Sequence, residues 1–162
     1  MKKIDLNQTV QIIANLGVVG GLIFLGLEIN QNNLMMKSQT RSDVSQSITD
    51  MLRQSLDPEI ITIGLKAQED LNSLSAVELN QLQGAYAVAF RVYENVHYQY
   101  RMGLFEESDY FAERRAWELN VLSDPIAVRV WCSGREVYSL EFRREIDSLL
   151  SSSGCSEIEL FR

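Results

Sequence analysis

This chain of 162 residues contains few of the residues on which many small proteins depend: two prolines, two cysteines and a single histidine. Two cysteines cannot form the framework of a disulfide-rich domain, and their spacing matches no zinc or redox motif. With nine glycines and two prolines, long disordered linkers are not expected. One histidine cannot complete the pair of Glu-x-x-His motifs that holds two metal ions in a helical bundle.

The motifs that hold phosphates or activate a serine are also absent. No Walker loop, no Gly-x-Gly-x-x-Gly and no Gly-x-Ser-x-Gly occurs. The net charge is −7. The excess of acidic residues lies after Glu28, where the sequence has 13 basic and 20 acidic residues. Because nucleic-acid affinity comes largely from neutralised phosphates, an acidic domain argues against a nucleic-acid partner. We assign no catalytic residue, no cofactor and no metal site from the sequence.

One long apolar run occupies residues 10–27, and no charged residue interrupts the sequence between Asp5 and Glu28. As a helix rising about 1.5 Å per residue, this run would cover roughly 27 Å, close to the ~30 Å hydrocarbon core of a bilayer. Glycines inside the run are compatible with a transmembrane helix. The sequence therefore predicts a membrane anchor over residues 1–29, with the membrane as a partner through one span.

Two other interpretations of the run stay open. It could be the core helix of a soluble bundle, which Gln11 and Asn15 favour because each costs free energy in lipid. It could also be a cleaved signal peptide, with Lys2 and Lys3 as its basic start. The run passes into Glu28 without a small-x-small cleavage site, which argues against a signal peptide.

Small residues mark one face of the predicted span. Ala14, Gly17 and Gly21 fall on the same face, and the last two have the small-xxx-small spacing that lets helices approach closely. This face is a candidate helix-packing surface and makes a homodimer a hypothesis. The sequence names no protein partner.

The charges on either side of the span do not clearly indicate its orientation in the membrane. Lys2 and Lys3 precede it, and Lys37 and Arg41 follow it, so the positive-inside comparison is balanced. Asp5 offsets the first pair, and we expect the soluble part on the cytoplasmic side.

The rest of the chain predicts an all-α fold, in which the membrane helix continues into a helical stalk over residues 30–56. A small helical bundle follows over 57–152, and a tail over 153–162. Prolines after Asp57 and Asp124 mark two helix starts, and Ser75 with Glu78 forms a capping box for a long helix that ends before Gly103. Further helices are expected from about residue 107 to 122 and from Ser139 to about 152.

The densest group of functional side chains lies in the long helix and comprises Arg91, Tyr93, Glu94, Asn95, His97 and Tyr100. The simpler interpretation is a polar and aromatic cluster that holds the helix against Trp117 or Trp131. The alternative is a pocket for a small ligand, or an enzyme site, built on Tyr93, His97, Tyr100 and a tryptophan.

Cys132 and Cys155 are interpreted as a partly buried residue and a tail thiol rather than as a pair. A bridge between them stays open if the domain is exported from the cytoplasm.

Two blocks, residues 17–32 and 90–99, resemble a widespread bacterial family of uncharacterised proteins with one N-terminal span and an α-helical domain. The resemblance implies membrane anchorage and a bacterial source, and it supplies no activity. We expect the protein to lie in the bacterial inner membrane. We therefore expect a non-enzymatic interaction or sensing module on a membrane anchor. The alternatives are a soluble bundle and a membrane-tethered ligand binder or enzyme.

Overall fold

The computed structural model describes residues 6–150 and Cys155, and these residues form six α-helices and no strand. The helices are α1 (Leu6–Ser55), α2 (Pro58–Glu69), α3 (Ala76–Arg101), α4 (Glu107–Asn120), α5 (Pro125–Gly134) and α6 (Leu140–Leu149). Two 3-10 turns, Leu71–Ser73 and Arg135–Val137, precede α3 and α6. The all-α prediction is confirmed. Residues 1–5 of the predicted anchor, and the predicted tail apart from Cys155, lie outside the described residues.

The chain divides into two units, Met1–Gln39 and Thr40–Arg162. In the first unit the described residues are helical throughout, and their large apolar side chains are exposed, as at Leu16 and Leu22 (both 65%). An 18-residue window of this helix has a mean hydropathy of 2.1, and none of it is buried. By length and composition, α1 therefore contains one candidate membrane-crossing helix.

The second unit has an aromatic core around α3, which contacts α2, α4, α5 and α6. Its largest fully buried side chains come from α3, α4, α5 and α6, namely Phe90, Val96, Trp117, Trp131, Phe142 and Ile146. Val44 and Met51, which belong to the predicted stalk, are also buried in this core. The last turns of α1 thus pack as part of the bundle. The division between a stalk ending at residue 56 and a bundle starting at residue 57 stays a prediction.

The helix starts follow the predicted local signals. Asp57 and Asp124 each cap a helix through a side-chain oxygen that accepts a backbone N–H at 2.8 Å, and a proline follows each cap. Gly103 closes α3 with a φ of +72°, a conformation that a side chain would strain. The N-cap, N1 proline and C-terminal glycine are therefore all at the predicted positions.

The capping box at the start of α3 also joins α3 to α2. The Glu78 carboxylate accepts a hydrogen bond from Ser75 N at 2.7 Å, and the Ser75 hydroxyl accepts one from Glu78 N at 3.3 Å. Lys66 of α2 donates to the same carboxylate at 2.9 Å. The hydrogen bond from Lys66, followed by those from Ser75, lowers the pKa of Glu78 to about 2.

The two cysteines are paired, so their interpretation as separate thiols was wrong. Cys132 in α5 and Cys155 form a disulfide with a Cα–Cα distance of 5.4 Å across a sequence separation of 23. Cys132 is only 8% exposed, and Cys155 packs against the same core. Spacing along the chain could not reveal this pair, because it depends on the chain returning to α5 after α6.

Candidate functional site

The six residues singled out in α3 divide between two sides of the helix. Arg91 and Glu94 form an ion pair at 2.7 Å and reach the segment that precedes α6. Glu94 accepts a hydrogen bond from Ser139 N at 2.7 Å, and Arg91 donates to the carbonyl of Val137 at 3.1 Å. These contacts hold the start of α6 against α3, and they bring together residues 45 or more positions apart in the sequence.

Glu94 takes the role expected of the Ser139 side chain at the start of α6. Ser139 occupies the N-cap position, but its hydroxyl makes no capping hydrogen bond. The carboxylate of Glu94 binds its backbone N–H instead, where negative charge at a helix N-terminus is favourable. Burial raises the pKa of Glu94, but the hydrogen bonds from Ser139 and Arg91 outweigh it and leave the pKa below its usual value.

The aromatic members of the group face the core. Tyr93 stacks on Trp117 with ring centroids 4.7 Å apart, and Tyr100 stacks on Tyr110 at 4.0 Å. His97 is 8% exposed and lies 5.8 Å from the ring of Phe142. Tyr93 therefore packs against the tryptophan of α4.

The remaining polar residue of the group, Asn95, lies on the exposed surface of α3. Its side-chain oxygen accepts a hydrogen bond from Gln99 at 3.3 Å, one helical turn further along. Asn95 also borders a shallow surface depression together with Arg91. Within the described residues, no hydrogen bond or ring contact joins Asn95 to the aromatic residues with which the sequence grouped it.

Burial sets the protonation of His97. Desolvation lowers the pKa of the imidazole, and the carboxylates of Glu145, Glu141 and Glu94 do not fully offset this effect. Burial therefore favours the neutral form of the imidazole. Residues 6–150 and Cys155 contain no group of three His, Cys, Asp or Glu side chains placed to hold a metal ion, although Glu94 and His97 have the spacing of one half of such a site.

A larger cleft opens beside Tyr93, between the end of α1 and helices α2, α3 and α4. Its volume is about 520 Å³, within the range of small-molecule sites. Most of the lining is apolar, with contributions from all four helices: Ile48, Met51, Leu52, Ile60, Ile61, Leu65, Leu82, Ala85, Ala89, Ala116, Trp117 and Val121. Tyr93 and Trp117 line it, while His97 and Tyr100 do not, so the predicted pocket residues are only partly brought together.

The cleft contains a small number of polar groups. The hydroxyl of Tyr86 is occupied, since it donates to Asp124 at 2.5 Å, and burial raises its pKa. Burial raises the pKa of Tyr93 to about 12, and the charge of Glu113 adds to the effect. Desolvation, followed by the nearby charge of Asp109, raises the pKa of Glu113 itself.

Glu113 is the residue that the sequence analysis missed. Among the described residues that line the cleft, it is the one acidic or basic residue, and it lies four positions before Trp117 on α4. Residues four apart share a helix face. A charged residue on the same face as a buried tryptophan was the sequence signal that could have identified it.

No family model, curated protein or solved structure matches this chain. The resemblance drawn from residues 17–32 and 90–99 therefore stays a prediction.

Proposed function

We propose that this protein is a single-pass protein of the bacterial inner membrane, whose helical domain serves as a non-enzymatic interaction or sensing module. The supporting observation is the exposure of the apolar window in α1, where no residue is buried. Burying one Val, Leu, Ile or Phe side chain contributes about 1.5–3 kcal/mol, and large apolar side chains recur through this window. A helix that is apolar on all sides is typical of a membrane span or of a large protein core.

Membrane fractionation tests the anchor. Val18, which is 64% exposed near the middle of the window, is changed to arginine, which costs about 2.5–3.5 kcal/mol at the centre of a span. Val18→Arg should reduce the fraction of protein that resists alkaline extraction. Val137→Arg is the matched control, since Val137 is 65% exposed in the second unit, and it should leave that fraction unchanged.

Two outcomes would contradict the anchor. Recovery of the wild-type chain in the supernatant without detergent would favour a soluble bundle. A mature mass lacking the first residues would favour a cleaved signal peptide. An intact mass in the membrane fraction supports the retained span.

The disulfide supports a revised orientation, with the helical domain on the exported side of the membrane. Disulfides persist in oxidising compartments and are rare in the bacterial cytosol. The charge balance around the span favours neither side strongly, so the bridge between Cys132 and Cys155 carries more weight.

Alkylation of denatured protein from cells with a maleimide polymer tests this orientation. Wild-type protein should remain unlabelled until reductant is added, and Cys155→Ser should label once without it. Immediate double labelling of the wild type would support the cytoplasmic orientation.

The face formed by Ala14, Gly17 and Gly21 supports self-association of the span. A Cβ added at Gly17 or Gly21 would meet no atom within 4 Å, so a second helix can approach these positions. Gly17→Leu and Gly21→Leu should abolish cross-linked dimers in membranes. Gly26→Leu, on the opposite side of the helix, should not. A wild-type chain that cross-links only as a monomer would exclude the dimer.

A further inference from the structure

The cleft between α1, α2, α3 and α4 contains a carboxyl group without a partner in the described part of the chain. Glu113 is partly buried, and within residues 6–150 and Cys155 it makes no hydrogen bond and no ion pair. Its neighbour Asp109 is engaged differently, since it pairs with Arg41 at 2.7 Å. Because charges removed from water are normally paired, the Glu113 carboxylate is a position where a bound cation would gain an ion pair.

The surroundings of Glu113 favour a cation that carries an apolar group. No lysine, arginine or histidine is among the described residues that line the cleft, so an anionic ligand would meet only like charge there. Tyr93 and Trp117 also line the cleft, and aromatic rings attract organic cations. The Tyr93 hydroxyl has no hydrogen-bond partner among the described residues and can accept from an ammonium group.

The size of the cleft favours a small molecule over a protein segment. Four helices line a cleft of about 520 Å³, which is the scale of a small-ligand site. The net charge of −7 also raises the local concentration of cations around the protein.

We propose that this cleft binds a small organic cation, an ammonium group carried on an apolar body, with Glu113 pairing with the ammonium group. The apolar body occupies the space lined by the aliphatic side chains of α1 and α2. Every residue of this site lies after Thr40, so the proposal does not depend on the membrane span.

Equilibrium dialysis with three probes of one size tests the charge preference. The full-length chain is reconstituted in nanodiscs of zwitterionic lipid, and empty nanodiscs correct for partition into lipid. Hexylammonium should be retained above the empty-disc level, while hexanol and hexanoate should be retained at least about tenfold less tightly, as loss of one charge-assisted hydrogen bond implies. Equal retention of hexanoate or hexanol, or no retention of hexylammonium above empty discs, would overturn the proposal.

Variants then locate the site. Glu113→Gln should weaken hexylammonium binding about ten- to a hundredfold. The matched control is Glu107→Gln, an exposed acid on the same helix that does not line the cleft, and its affinity should equal that of the wild type. Ala116→Leu, which fills the cleft and keeps the carboxylate, should also weaken binding.

Wild-type affinity in a folded Glu113→Gln protein would overturn the assignment. If that variant does not fold, the comparison of the three probes decides whether the proposal stands. Reconstitution reports on the span and retention reports on the cleft, so the two proposals fail separately.

Discussion

Removing the bridge between Cys132 and Cys155 is expected to destabilise the helical domain substantially. The two residues are 23 positions apart, and closing a loop of this length contributes about 3.4 kcal/mol at 25 °C in the chain-entropy treatment. For a helical domain of this size, such a loss lowers the melting temperature by roughly 10–15 °C. The effect arises mainly in the unfolded state, which gains conformations once the link is gone.

The assay compares thermal unfolding of the full-length chain with and without reductant, and of Cys155→Ser in both conditions. Cys155 is the better position to change, because Cys132 is only 8% exposed and a smaller side chain there would also alter core packing. Reduced wild type keeps both sulfur atoms. Agreement between the reduced wild type and the variant therefore isolates the contribution of the link.

Two results would refute this reasoning. A shift of less than about 1 kcal/mol on reduction would mean that the link constrains the unfolded chain far less than its length implies. A Cys155→Ser protein that still loses stability on adding reductant would mean that the reductant acts on something other than this bond.

Three further measurements test the local features. Ser75→Ala should cost about 1 kcal/mol of unfolding free energy by removing a capping hydrogen bond, while Ser108→Ala should change it by only a few tenths. Gly103→Ala should destabilise by about 1 kcal/mol because φ is +72°, whereas Gly84→Ala, inside α3, should stabilise by a similar amount. The lowered pKa of His97 means that, as pH falls below about 6.5, the unfolded chain takes up a proton that the folded chain resists. Stability should therefore fall from pH 7 towards pH 5, and His97→Phe should remove that part of the fall.

The local elements of the fold could be predicted because their signals lie within three or four residues of each other. The pairs Asp57 with Pro58, Ser75 with Glu78, and Asp124 with Pro125 each place a helix start, and the structure has a helix at each. The apolar run in α1 could also be predicted, because it is recognised from its own composition and not from its contacts with other segments. In the structure, none of its 18-residue apolar window is buried.

Features that join distant segments could not be predicted from the sequence. The disulfide requires α5 and the segment after α6 to meet, and the capping of Ser139 by Glu94 joins residues 45 positions apart. Glu94 and His97 suggested half of a metal site by spacing alone. In the structure, the carboxylate of Glu94 binds Arg91 and the start of α6, and His97 is buried among aromatic rings.

The division of roles within α3 and α4 decides which substitutions can separate stability from ligand binding. Tyr93 is 5% exposed, stacks on Trp117 and also lines the cleft, so its replacement would disturb the core and the candidate site together. Glu113 lines the same cleft, but its carboxylate supports no hydrogen bond within the described residues. Its pKa is raised by burial, so the fold loses rather than gains from keeping it charged. Glu113→Gln should therefore leave the unfolding free energy unchanged or slightly higher, and a loss of cation binding in that variant would be attributable to the site itself.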